Sequence, residues 1–187
     1  MPVRRLLPNL PNLITLTRIA IIPVFLLFLL TPLPAGGLIA LILFALAALS
    51  DAIDGWVARS WEQVTDFGKF ADPLADKLLV MAALIVFVAR GQIGVIPVII
   101  ILSREFLVMG LRILAMTHAL SIPASPLAKL KTVSHIGLAV ILIGEGAWVW
   151  PAWGEVLRLV FVYLAVALAL LSAGEYFYRS RHLFHEL

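Results

Sequence analysis

The chain contains no cysteine and few charged residues. None of its 187 residues is cysteine, which excludes a scaffold stabilised by disulfides. Charged residues make up 13 %, whereas a typical soluble domain has about 25 %. Intrinsic disorder is excluded as well, because a disordered chain combines low hydrophobicity with high charge. The net charge of +3 is too small to indicate binding to nucleic acid.

Apolar residues dominate the composition. They reach 63 % of the chain, and the mean hydropathy is +1.07. A soluble globule of this length cannot bury so much apolar surface. The composition therefore predicts an integral membrane protein, and the length predicts a single membrane-embedded domain over residues 1–187.

Long apolar runs indicate how often the chain crosses the membrane. One helical crossing needs about 20 apolar residues, and six runs are long enough: 12–30, 38–59, 68–89, 93–117, 129–149 and 155–177. We therefore expect an all-α fold with six transmembrane helices in one bundle. Residues 1–10 carry two arginines beside leucines, which suits either a short interfacial segment or a plain charged tail.

The basic residues predict the orientation of these spans. Eight of the 14 lysines and arginines fall on one side of the six-span arrangement, at Arg4, Arg5, Arg59, Lys69, Lys129, Lys131, Arg179 and Arg181. The positive-inside rule makes that side cytoplasmic, together with both termini. Aromatic residues are expected at the two interfaces, with Trp148, Trp150 and Trp153 outside and Trp56, Trp61, Tyr176 and Tyr178 inside.

Acidic residues are concentrated at the cytoplasmic ends of the second and third spans. Six of the 11 in the chain lie within residues 51–76, at Asp51, Asp54, Glu62, Asp66, Asp72 and Asp76. Helical spacing predicts that residues of each span share one stripe of its helix. On the second span these are Asp51, Asp54, Gly55, Ala58 and Arg59, and on the third they are Gly68, Asp72 and Asp76. The two stripes can face each other across the short connection, so that four carboxylates converge.

Four carboxylates at close range repel one another and favour a divalent cation. Ligands that are all oxygen indicate Mg²⁺, Mn²⁺ or Ca²⁺ rather than zinc, and two such ions form the arrangement used for displacement at phosphorus. Small residues on the same faces admit a large ligand, and Arg59 offers a bidentate contact to an anion. The alternative is that the aspartates are solvated helix ends paired with Lys69 and Lys77. We adopt that alternative only for Glu62 and Asp66, which lie off both stripes.

The spacing of these residues resembles a known signature. The string Asp51-x2-Asp54-Gly55-x2-Ala58-Arg59-x8-Gly68-x3-Asp72-x3-Asp76 is similar throughout to that of the CDP-alcohol phosphatidyltransferase family. The resemblance implies a six-helix membrane enzyme, usually a homodimer, that moves a phosphatidyl group from a CDP-linked lipid to an alcohol and releases CMP. It also implies that the four aspartates hold two Mg²⁺ or Mn²⁺ ions, that Asp76 is the base as well, and that Gly55, Ala58, Arg59 and Gly68 line the CDP site.

Motifs outside the signature resemble the bacterial members that use glycerol 3-phosphate as the acceptor. These motifs include Asn12, Thr15 and Arg18 near the start, Arg104 and Arg112 in the fourth span, and Lys129, Lys131 and Thr132 in the fifth. The resemblance implies transfer from CDP-diacylglycerol to glycerol 3-phosphate, giving phosphatidylglycerol phosphate and CMP, at the cytoplasmic face of a bacterial plasma membrane. Two departures are Ala128, where glycine is expected, and His135, where glutamine is expected.

Charge gives independent support for a phosphorylated acceptor. Arg112, Lys129 and Lys131 are expected at the cytoplasmic level of the aspartates, where three further cations indicate an additional anion. The alternatives are that the two lysines only flank a span, that Arg104 and Glu105 form a buried pair, and that His135 is a structural histidine.

Two further functions stay open at this point. One is the same chemistry with another acceptor: phosphatidylglycerol, as in cardiolipin synthase, inositol phosphate or serine. The other is a cation or proton transporter, since carboxylates within spans also form ion paths. The position of the aspartates at one face of the membrane disfavours the transporter, whose site is expected near the midplane.

Overall fold

A computed structural model describes residues 10–60, 66–117, 125–148, 150–151 and 153–181 of the chain. Within its helices the side chains of residues 10–12, 14–15, 51–60, 66–73, 76 and 116–117 lie outside the description. The described residues form six α-helices and no strand, with α1 at Leu10–Leu30, α2 at Gly36–Ser60, α3 at Asp66–Ala89, α4 at Val95–Thr117, α5 at Pro126–Ala147 and α6 at Trp153–Arg179. The all-α class is confirmed, and each predicted run corresponds to one helix.

The helices differ in how clearly they suit a membrane. By length and composition α5 and α6 could cross one, and shorter apolar stretches occur in α1, α2 and α3, at Leu16–Leu30, Gly36–Ser50 and Lys77–Ala89. Large apolar side chains are exposed on several helices, among them Leu27, Ile96, Val133 and Leu171. Such an extensive apolar surface is typical of a protein covered by lipid or by a partner.

The chain divides into two compact units, residues 1–83 and 84–187. In the first unit α1 and α2 pack together along apolar stripes with helical spacing, and the stripe of α1 contains Ile22, Phe25 and Leu29. The rings of Phe25 and Phe44 lie 5.9 Å apart. A Cβ atom at Gly36 would lie 2.9 Å from the carbonyl oxygen of Phe28, so glycine permits the close approach at the turn.

In the second unit the helix ends are defined by local hydrogen bonds. Gly91 follows α3 with a φ of 70°, and the amides of Gly91 and Gln92 bond the carbonyls of Val88 and Phe87. This is the glycine-terminated Schellman pattern. The hydroxyl of Ser125 accepts a bond from the Ala128 amide and caps α5, which begins at Pro126. The start of α5 is thereby fixed, and with it the positions of the lysines in its first two turns.

Helices α5 and α6 pack closely and run in opposite directions. A Cβ atom at Gly137 would lie 2.8 Å from the ring of Phe161, so a larger residue would require the ring or the helices to shift. Nearer the connection, Glu145 and Arg158 form an ion pair of 3.0 Å. Residues later in α5 therefore meet residues earlier in α6, as in an antiparallel helix pair.

Candidate functional site

The signature residues all lie in the first unit, on α2 and on the part of α3 before residue 84. Positions 51, 54, 55, 58 and 59 lie on α2, and positions 68, 72 and 76 lie on α3. The buried stripe of α2 contains Ala40, Phe44 and Ala47, and the same spacing continues to positions 51 and 54. The side chains of all eight signature residues lie outside the description. Their convergence on a metal and on CDP therefore stays a prediction.

Arg18 on α1 lies next to the start of the signature. Its side chain is 1 % exposed, and Nε donates a hydrogen bond of 3.2 Å to the hydroxyl oxygen of Ser50, the residue before Asp51. The Ser50 hydroxyl in turn donates to the carbonyl of Ala47. A buried guanidinium is costly in an apolar helix pair unless it has polar partners. Arg18 thus belongs to the polar end of the α1–α2 pair.

Sequence reasoning quoted Arg18 only as part of the opening motif and gave it no role. The helical spacing of Arg18 with Ile22, Phe25 and Leu29 could have indicated its burial, because these positions share one stripe. Residues 15 and 12 lie about one and two turns before Arg18 on the same helix. The side chains of Asn12 and Thr15 lie outside the description, so their predicted roles are untested.

A buried polar network occupies the second unit between α4, α5 and α6. The Glu105 carboxylate accepts from Arg104 Nη1 at 3.1 Å and from Lys131 Nζ at 2.5 Å. Arg104 Nε also donates to the Ser172 hydroxyl at 3.2 Å. All four side chains are buried, and they contain one positive charge more than negative. The alternative of an Arg104–Glu105 pair is confirmed and extended, because Lys131 shares the same carboxylate oxygen.

His135 lies beside this network on α5. Its side chain is 4 % exposed and bonds the backbone of Ala165 on α6. In the part of the chain that the structure describes, His135 Nε2 and Arg104 Nη2 are buried atoms without a hydrogen-bond partner. The backbone bond agrees with the interpretation of His135 as a structural histidine. The open atoms leave the polar network incompletely satisfied within the described residues.

The residues predicted to hold the acceptor phosphate differ in their surroundings. Arg112 is half-buried on α4 and contacts Tyr176 of α6, whereas Lys129 is exposed and Lys131 is buried against Glu105. The Thr132 hydroxyl is exposed and donates to the carbonyl of Ala128 in its own helix. The structure thus joins Arg104 with Lys131 and leaves Lys129 and Thr132 on exposed parts of α5.

Two tyrosines near the end of α6 differ in burial. The sequence predicted Tyr176 at the inner membrane interface together with Tyr178, but Tyr176 is 2 % exposed and Tyr178 is 68 % exposed. Tyr176 is buried because it faces α4, where it packs with Val108 and Leu111 and accepts a hydrogen bond from Arg112, so its level in the membrane stays a prediction. Sequence reasoning also missed Ser172, which lies one turn earlier on the same face of α6.

These contacts define a helical protein with ionisable side chains buried between apolar helices. Because such burial is costly, ionisable residues in these positions usually have a functional role. The chain belongs to the CDP-alcohol phosphatidyltransferase family, whose sequence profile matches residues 8–171. The matched range contains the whole signature, all of α4 and α5, and α6 as far as residue 171.

Several curated relatives share one name, CDP-diacylglycerol–glycerol-3-phosphate 3-phosphatidyltransferase. The relative from Rickettsia bellii is 36 % identical over 146 residues, which cover 77 % of this chain and 80 % of the relative. That from Haemophilus influenzae is 32 % identical over 149 residues, covering 78 % of each chain. That from Bacillus subtilis is 46 % identical over 104 residues, covering 56 % of this chain and 54 % of the relative.

Proposed function

We propose that this chain transfers the phosphatidyl group of CDP-diacylglycerol to glycerol 3-phosphate, giving phosphatidylglycerol phosphate and CMP. The observation that carries the proposal is the complete family signature, whose positions on α2 and α3 all lie within one compact unit. The choice of acceptor is supported by the name that the relatives share. The relatives from Rickettsia bellii and Haemophilus influenzae each match more than three quarters of this chain.

The donor chemistry of the signature fits a divalent metal. Asp51, Asp54, Asp72 and Asp76 supply only carboxylate oxygens, the ligands that Mg²⁺ and Mn²⁺ prefer. When bound, two such ions neutralise negative charge on the diphosphate and on the departing CMP. Gly55, Ala58, Arg59 and Gly68 are proposed to line the CDP site, where Arg59 contributes a cation and the other three leave room for the ligand.

The reaction is proposed to be a direct displacement at phosphorus. The 1-hydroxyl oxygen of glycerol 3-phosphate forms a bond with the β-phosphorus of CDP-diacylglycerol, and the bond from that phosphorus to the CMP oxygen breaks. Asp76 takes the proton of the attacking hydroxyl as the general base. Arg112, Lys129 and Lys131 are proposed to bind the acceptor phosphate, with Arg104 and Thr132 in supporting roles.

The function is tested with the purified chain in detergent and CDP-diacylglycerol. Release of CMP is measured with glycerol 3-phosphate, phosphatidylglycerol, inositol phosphate and serine offered in turn. We expect glycerol 3-phosphate to give the largest kcat/KM. A preference for any of the other three would keep the chemistry and contradict the acceptor, and no CMP release with all four would contradict the whole proposal.

The acceptor site makes a kinetic prediction. Replacing Arg112 by glutamine is expected to lower kcat/KM for glycerol 3-phosphate by roughly 10- to 150-fold, the effect of losing one hydrogen bond to a charged group. The change should appear mainly in KM, because the phosphate is remote from the attacking hydroxyl. Steady-state kinetics with one substrate varied at a time measures it, and the exposed Arg181→Gln is the matched control. Equal losses for both substrates would assign Arg112 to the fold or to the CDP site.

We also propose that all six helices cross the membrane, with both termini and the active site on the cytoplasmic side. If successive helices cross the membrane in turn, helices that follow each other in the chain run in opposite directions. Helices α4 and α6 then run in the same direction. The α1–α2 and α5–α6 contacts support this, as does the order of the pairs Arg104–Ser172 and Arg112–Tyr176 along α4 and α6.

The absence of native cysteine permits a direct test of this topology. Single cysteines are placed at exposed positions, with Lys129→Cys and Arg181→Cys for the proposed cytoplasmic side and Ala35→Cys and Pro151→Cys for the other. An impermeant thiol reagent applied outside intact cells is expected to label only the last two. Labelling of Ala35→Cys and Arg181→Cys from the same side would contradict the six-span arrangement.

A further inference from the structure

Arg112 is held by one side chain of α6. Its Nε donates a hydrogen bond of 2.9 Å to the Tyr176 hydroxyl oxygen, and its guanidinium carbon lies 5.5 Å from the centre of the same ring. Tyr176 is buried and packs with Val108 and Leu111 of α4. The tyrosine is therefore fixed by the helix packing, and the arginine contacts it through both a hydrogen bond and the face of the ring.

The contact with Tyr176 uses only one edge of the Arg112 guanidinium. Within the described residues the hydrogen bond from Nε is the only one that Arg112 makes, so both terminal nitrogens remain available. Arg104 lies eight residues, or about two turns, before Arg112 on the same stripe of α4. Its guanidinium differs from that of Arg112, because Nε and Nη1 are both engaged with protein groups. The outer edge of a guanidinium, with two parallel N–H donors, is suited to bidentate binding of phosphate.

We propose that Tyr176 is a positioning residue for the acceptor. It holds Arg112 by Nε and by the ring face, so that Nη1 and Nη2 point to the phosphate of glycerol 3-phosphate. This inference rests on the proposed function and assigns a role to a residue that the family signature does not include. Its physical basis is that a long side chain already fixed before binding loses less conformational freedom when the ligand arrives.

The variant Tyr176→Phe isolates this role. Phenylalanine keeps the ring and its packing and removes only the hydroxyl that accepts from Arg112. We expect KM for glycerol 3-phosphate to rise by about 2- to 12-fold, the effect of one net hydrogen bond, with KM for CDP-diacylglycerol unchanged. The matched control is Tyr163→Phe on the same helix, which removes a hydroxyl from a residue that is 71 % exposed. A purely structural role would change the kinetics of both substrates.

A double-mutant cycle tests whether Tyr176 acts through Arg112. The combination of Arg112→Gln with Tyr176→Phe is expected to lose no more acceptor kcat/KM than Arg112→Gln alone, because the tyrosine then has no guanidinium to hold. Additive losses would overturn the inference, as would an unchanged KM for glycerol 3-phosphate in Tyr176→Phe or equal changes for both substrates. If the wild-type chain releases no CMP with glycerol 3-phosphate, the proposed function fails first, and this inference with it.

Discussion

Replacing Asp51, Asp54 or Asp72 by asparagine is expected to lower turnover by at least about 10³-fold, and EDTA is expected to have the same effect on the unchanged chain. The reason is that each carboxylate is proposed to ligate a divalent ion, and such ions contribute several kcal/mol to stabilising negative charge at the reacting phosphorus. Asparagine has almost the same shape but no charge, so the loss would report on ligation rather than on packing.

The measurement is CMP release after removal of metal, followed by addition of Mg²⁺ or Mn²⁺. Either ion should restore the unchanged chain and should not restore the three variants. Glu62→Gln is the matched control, because this acidic residue is close in sequence and is assigned no role in the site. Binding of Mn²⁺ followed by electron paramagnetic resonance gives a second readout, which the three variants should reduce. Full activity in chelator would contradict the metal site.

Asp76 is expected to differ from the other three aspartates in kind. As the proposed base it should affect the chemical step most strongly, so Asp76→Asn is expected to keep binding of CDP-diacylglycerol while kcat falls by roughly 10² to 10⁴. Nucleotide-lipid binding is measured directly, and kcat is measured at saturating concentrations of both substrates. Asp66→Asn, at the first residue of the same helix, is the control. A kcat within a few-fold of the unchanged chain would assign the proton to another group.

The helices could be predicted from the sequence because apolar runs of about 20 residues separated by turn residues leave few other structures. The boundaries of α5 were less predictable. Its predicted start at residue 129 lies three residues after the observed start at Pro126, where the Ser125 cap and the following proline begin the helix before the apolar run is established. The start of α5 is therefore determined by local capping, which the hydropathy of the sequence does not report.

The contacts of the second unit show what periodicity cannot supply. Arg112 and Tyr176 are 64 residues apart, and Arg104 and Ser172 are 68 residues apart. Spacing along one helix indicates a face, but it does not say which residue of another helix lies opposite. The difference in burial between Lys129 and Lys131 could have been predicted from the sequence, because residues two apart on a helix point to nearly opposite sides. The signature aspartates, in contrast, were proposed from sequence spacing alone, and their convergence stays a prediction.

The burial of Arg18 against Ser50 bears on how the chain is made and inserted. In the proposed six-span arrangement, α1 on its own would have to bring a guanidinium into lipid, at a cost of up to about 3 kcal/mol by insertion scales. Once α2 has been synthesised, its polar end offers this group a hydroxyl partner and shields it from the acyl chains. If the proposed six-span arrangement holds, we expect the helical hairpin, rather than α1 alone, to be the unit that partitions stably into the bilayer during translation.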